Sequence, residues 1–137
     1  MNTDYIKDVE LLKQFSVMHV EDDNSVRESL MRFLKRRFDT IYSAKDGAEG
    51  LDIYTEHKPD IVITDIQMPV MDGVEMSRRI KELNPSALII VTTAFNEKPY
   101  IQKTEEIGIT DYLKKPVVKD DLMQALRSCA ETLLKRK

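Results

Sequence analysis

Five short apolar runs, at positions 17–20, 40–42, 61–64, 88–91 and 112–113, alternate with stretches whose apolar residues recur at helical spacing. The runs at 61–64 and 88–91 are continuous rather than alternating, as strands covered on both faces tend to be. The stretches between carry Val26, Leu30, Phe33 and Leu34, then Ala48 and Leu51, then Met76, Ile80 and Leu83. Tyr100, Ile101 and Thr104 follow, with Pro99 near the start of their segment, and Leu122, Leu126, Cys129 and Leu133 mark the last. Strict alternation predicts right-handed crossovers and a five-stranded parallel sheet with helices on both faces, a three-layer α/β sandwich. Ligands in such sheets bind beyond the carboxyl ends of the strands, where the strand order reverses, so chemistry is to be sought just after each apolar run. Tyr5, Val9 and Leu12 follow helical spacing ahead of the first run. They predict a short amphipathic N-terminal helix, read as packing on the core rather than as a dimer contact.

With 137 residues, one domain with one core is expected. The balance of 21 basic against 24 acidic residues leaves a net charge of −3, which argues against direct nucleic-acid binding. Two basic clusters, Lys35, Arg36 and Arg37 and then Lys135, Arg136 and Lys137, read as solvated helix ends. Cys129 is the only cysteine, so no intramolecular disulfide forms, and its place among apolar helix positions predicts a buried hydrophobe. The N-terminal segment is acidic where a signal peptide would be basic, and no later stretch approaches transmembrane length. A cytoplasmic protein without membrane contact is expected.

Polar groups collect where the strand-end rule points. Glu21, Asp22 and Asp23 follow the first run, Asp65 the third, Thr92 and Thr93 the fourth, Lys114 and Lys115 the fifth. Carboxylates brought close together repel, and a hard divalent cation bound by their oxygens relieves that cost; magnesium suits an open acidic pocket better than calcium does. Asp65 is the candidate nucleophile toward phosphorus, with a lysine and a threonine offsetting charge on the transferring group. His19 and His57 lack metal-ligand spacing, and read as core-facing and as an exposed helix end respectively. Met68 and Met71 read as packing for the loop after Asp65.

The stretches VMHVEDD, IVITDIQMPVMDG, VTTAF and DYLKKPV, in this order and spacing, resemble the receiver domain of two-component response regulators of the chemotaxis-regulator kind, from about Phe15 to Leu134. The resemblance implies a flavodoxin-like sheet of strand order 2-1-3-4-5 with five helices, a receiver over 15–137, and an N-terminal helical extension over 1–14. It implies that Asp65 is the phosphorylation site and that magnesium is held by Asp22 and Asp65 directly, by Glu21 through water and by the main-chain carbonyl of Gln67. The family places its hydroxyl immediately before a small residue, here Ala94, and its lysine immediately before proline, here Pro116. Thr93 and Lys115 are therefore the catalytic pair rather than Thr92 and Lys114. Thr93 is also the switch hydroxyl and Tyr112 the switch aromatic, relaying to the face of the fourth core helix and fifth strand. Pro69 and Gly73 match the loop after the acceptor, while Gln67 and Phe95 occupy positions that tune hydrolysis of the acyl phosphate.

The partners so implied are a sensor histidine kinase or phosphotransfer protein and a downstream output domain or effector protein, and a phosphorylation-dependent homodimer is compatible with the resemblance. The chain then catalyses its own aspartyl phosphorylation and dephosphorylation rather than turning over a separate substrate. A haloacid-dehalogenase-type phosphatase would show Asp-x-Asp, whereas Gln67 stands two residues after Asp65. A flavodoxin-like binding module would carry a Gly-, Ser- and Thr-rich loop after the first strand, and that loop is acidic here. No G-x-G-x-x-G supports a nicotinamide-binding fold.

Overall fold

Each apolar run becomes a strand, and each stretch of helical spacing a helix. The computed structural model describes residues 3–94 and 97–137. The order is α1 (Thr3–Leu12), β1 (Ser16–Val20), α2 (Asn24–Lys35), β2 (Thr40–Ala44), α3 (Gly47–His57), β3 (Ile61–Asp65), α4 (Gly73–Leu83), β4 (Leu88–Thr93), α5 (Lys98–Ile107), β5 (Asp111–Lys114) and α6 (Lys119–Lys135). The five strands lie parallel in the order β2-β1-β3-β4-β5, as expected, and the additional N-terminal helix is present. Register sets Val17 beside Ile41 and Ile61, Ile63 beside Ile90, and Thr92 beside Leu113.

Alternation along the strands divides the core between two faces. Val17, Ile61, Ile63, Ile90 and Leu113 pack with Phe33 and Leu34 of α2, Leu122 and Leu126 of α6, and Leu12 of α1. Met18, Val20, Val62, Ile89 and Val91 pack with Tyr54 of α3 and with Met76 and Ile80 of α4. The order reverses between β1 and β3, so the carboxyl ends of these neighbours open the crevice that the topology rule anticipates. Asp23, Asp46 and Asp72 cap α2, α3 and α4 there, accepting from the amides of Val26 (3.0 Å), Glu49 (2.8 Å) and Glu75 (2.8 Å). The loop after β3 folds back tightly. The Gly73 N–H donates to Ile66 O at 2.7 Å, and a Cβ on Gly73 would stand 1.9 Å from Asp65 O, so only glycine fits.

Several expectations about faces need correction. Val26 is exposed because the first turn of α2 overhangs a polar crevice rather than the core, and Leu83 is exposed at the last turn of α4. Tyr5 is also exposed. The residue of α1 that is buried in its place is Asp8, whose carboxylate takes both Nε and an Nη of Arg127, each at 2.8 Å. The basic clusters are not wholly solvated. The Arg37 guanidinium lies over the Phe33 ring at 3.8 Å, Arg136 donates to Ser86 O at 3.0 Å, and Lys137 donates to Gln14 Oε1 at 3.3 Å. Cys129 is buried as expected, and burial pushes its thiol up to about 12. His57 is exposed at the end of α3 and stacks on Tyr42 with centroids 4.7 Å apart. Met68 and Met71 pack against the second core face.

Candidate functional site

The site is assembled by strand ends. β1 delivers Glu21 and Asp22 at its carboxyl end, β3 delivers Asp65, and β5 delivers Lys115 just beyond its last residue. Each of the three acids places a carboxylate oxygen within 4.8 Å of the other two. Glu21 and Asp65 are buried, while Asp22 is exposed at the mouth. Lys115 Nζ lies 2.7 Å from Asp65 Oδ1 and 3.8 Å from Glu21 Oε1. The Lys115–Pro116 peptide bond is cis.

The electrostatics follow from one cation among three acids. Burial pushes the Glu21 carboxyl up to about 7, and the charge of Asp65 and a side-chain hydrogen bond with Asp22 add to this against the opposing Asp23 N–H bond and the charge of Lys115. Burial works to lower the Lys115 pKa, yet its bond to Asp65 and the charges of Asp65, Glu21 and Glu97 outweigh it and hold the ammonium above its ordinary value. Lys115 is thus shared between Asp65 and Glu21, and among the described residues Asp22 has no ion-pair partner. Oxygen donors alone, clustered and short of positive charge, fit a hard divalent ion such as magnesium.

Asp65 itself is held asymmetrically. Its Oδ1 accepts both Lys115 and the Ile66 N–H, the latter at 2.8 Å. Among the described residues no hydrogen bond engages Oδ2. That oxygen is free to coordinate a cation or to attack an electrophile.

The set has further neighbours to which sequence reasoning gave no role in the site. His19, Thr92 and the loop residues Pro116 and Val117 line the same cavity of about 770 Å³ as Glu21, Asp22, Asp65 and Lys115. Among the described residues the buried His19 Nδ1 has no hydrogen-bond partner, and burial, then the charges of Arg27 and Lys115, lower the His19 pKa to about 3. Arg27 braces the β1–α2 turn, donating to Glu21 O at 2.8 Å. Thr92 and Pro116 carry a sequence signal, as a strand-end hydroxyl and as the proline after Lys115, whereas His19, Val117 and Arg27 reach the crevice from neighbouring turns and from the sheet face itself.

Thr93, Tyr112 and Gln67 do not line that cavity. Strand alternation puts Thr92 on the α2/α6 face and Thr93 on the opposite one, with Val91 and near the partly buried Tyr112. Thr93 Oγ1 donates to Ala94 O at 3.2 Å, and the Lys115 N–H donates to Thr93 O at 2.9 Å, tying the two strand ends together. The Tyr112 hydroxyl meets Thr104 Oγ1 of α5 at 2.7 Å. Gln67 stands exposed on the loop after β3. Phe95 lies outside the described residues.

Known proteins are similar to this chain in sequence and in fold. The response regulator receiver domain family matches over residues 17–127. A chemotaxis protein CheY of Halobacterium salinarum is 34% identical over 110 residues, covering 80% of this chain and 92% of that protein. A response regulator MprA of a Mycobacterium species is 34% identical over 82% of this chain but only 49% of its own length, so the chain spans about half of such longer relatives. Among solved structures, the N-terminal domain of an uncharacterised protein from Wolinella succinogenes superposes with a TM-score of 0.85 at 36% identity, covering 90% of this chain and 99% of that one. A response regulator receiver domain protein from Clostridium thermocellum gives 0.84 at 25% identity, with the same coverage. Because the match runs from the first strand into the last helix and takes in all the strand ends that carry the acids and the lysine, the chain belongs to the response regulator receiver domain family of two-component signalling.

Proposed function

We propose that Asp65 accepts a phosphoryl group, and that the modification switches the surface formed by α5 and β5. The observation that carries this reading is the asymmetric hold on Asp65: Oδ1 engaged by Lys115 and the Ile66 N–H, Oδ2 without a hydrogen bond among the described residues, and two further carboxylates alongside. Oδ2 attacks phosphorus of a phosphohistidine on a sensor kinase or phosphotransfer protein, or of a small donor such as acetyl phosphate. An O–P bond forms, the bond from phosphorus to the donor breaks, and its electron pair leaves on the imidazole or acetate. Lys115 stays beside the acyl phosphate as a point charge on a phosphoryl oxygen. Glu21, Asp22, Asp65 and the Gln67 carbonyl would hold magnesium, which when bound supplies positive charge to the phosphoryl oxygens.

Once charge is present on Asp65, Thr93 turns its hydroxyl from Ala94 O toward the phosphoryl group. Tyr112, on the same sheet face, moves into the space vacated. A near-complete shift between two states requires the phosphoryl group to favour one by roughly 5.5 kcal/mol, within reach of several charge-assisted contacts. On this reading residues 15–137 are the receiver and 1–14 an extension. The partners are a histidine kinase or phosphotransfer protein and an output domain or effector, acting in the cytoplasm, where no helix among the described residues is long and apolar enough to cross a membrane.

The test is incubation with acetyl phosphate and magnesium, with and without EDTA, followed by intact mass. A metal-dependent, base-labile adduct present in the wild type and absent from Asp65→Asn is expected. An adduct that survives Asp65→Asn would place the chemistry elsewhere.

A further inference from the structure

The hydroxyl pair between β5 and α5 has a defined direction. Thr104 Oγ1 donates to Ile101 O at 2.6 Å, and a carbonyl can only accept, so the single proton of Thr104 is spent there. The phenol of Tyr112, 2.7 Å from the same oxygen, must then be the donor. Thr104 is fully buried, and it is the only side chain of α5 that is buried outright. That helix also lacks a side-chain cap at its N-terminus. This polar contact ties α5, which buries a single side chain outright, to the residue whose movement the switch requires.

We infer that Thr104 is a positioning residue that latches Tyr112 to α5 and so sets how much phosphoryl binding is needed to throw the switch. The inference rests on the relay through Thr93 and Tyr112 described above. The two sides of the bond are not equivalent. Removing the threonine hydroxyl leaves a phenol O–H in search of another acceptor, which frees the ring to turn. Removing the phenol leaves Thr104 still bonded to Ile101 O, so the threonine loses only an incoming donor.

Thr104→Val keeps shape and deletes the acceptor, while Thr104→Ser restores it. The probe is beryllofluoride with magnesium, a stable stand-in for the phosphoryl group, titrated against protein carrying 3-fluorotyrosine and followed by fluorine NMR. The Tyr112 resonance is identified by its absence in Tyr112→Phe. The latch predicts that Thr104→Val shifts the Tyr112 resonance before any beryllofluoride is added and tightens beryllofluoride binding about fivefold, the worth of one ordinary hydrogen bond. Thr104→Ser should restore both to wild-type values. Adding Thr104→Val to Tyr112→Phe should change affinity no further, since both remove the same bond. Wild-type affinity in Thr104→Val, with an unmoved resonance, would overturn the latch while leaving the phosphoacceptor reading intact. A wild type that takes no beryllofluoride would overturn that reading and the latch with it.

Discussion

Two carboxylate–cation pairs in this molecule are built at nearly the same distance and do opposite things. Arg127 grips Asp8 with two parallel bonds of 2.8 Å where α1 lies on α6, and Lys115 reaches Asp65 at 2.7 Å at the carboxyl ends of β3 and β5. In the first, one arginine engages both oxygens of one acid. The second has one cation for three acids, one oxygen of Asp65 left over, and a cavity of about 770 Å³ in front of it. The acceptor chemistry proposed for Asp65 rests on this surplus. A bidentate arginine has no reason to let go, whereas a lysine, a point charge on a flexible stem, can share its carboxylate with an incoming group.

The largest expected break in this comparison is all-or-none. Asp65→Asn should lose the phosphoryl adduct completely, and Asp8→Asn should keep it, by intact mass after acetyl phosphate treatment. Next is Lys115→Met, expected to slow phosphorylation by about 100-fold, as loss of a preorganised charge does, while tightening magnesium binding because a competing cation is gone. Stopped-flow phosphorylation and calorimetric magnesium titration check the two halves. An Arg127→Met variant should change neither.

The stability ranking should run the other way. Asp8→Ala leaves Arg127 without its bidentate partner and is expected to cost about 2 kcal/mol in urea unfolding. Asp65→Asn should show no loss in the same assay, because Lys115 keeps Glu21 at 3.8 Å and one of several crowded negative charges is removed. The smallest effect concerns the loop bordering the open pair. Val70 sits at φ 67, a conformation costly for a β-branched side chain, and Val70→Asn should stabilise by roughly 0.5–1 kcal/mol. No residue of α1 or α6 carries such a positive φ among the described residues.

Much of the fold was legible because its signals are local. Continuous apolar runs against helical spacing predicted every element, and the acids and lysine stand immediately after the runs they belong to. Faces at the ends of helices were less legible. Val26 and Leu83 have the right spacing, but burial there depends on what lies beneath the last turn, which periodicity does not report. Asp8 was invisible for the same reason: a charged residue on a surface helix is buried only because Arg127, 119 positions along, comes to meet it. His19 and Arg27 border the site through neighbouring strands and turns, and no spacing rule singles them out.

By itself the sequence determined the layered architecture, the strand ends at which chemistry is placed, and the residue types that gather there, since all three depend on short-range pattern and on the fixed handedness of parallel crossovers. Only the tertiary structure decided which oxygen of Asp65 is left over, which face of β4 each threonine occupies, and that Tyr112 is the donor in its bond to Thr104. These are matters of distance and direction between residues far apart in the chain, and they exist only once the sheet has closed in register.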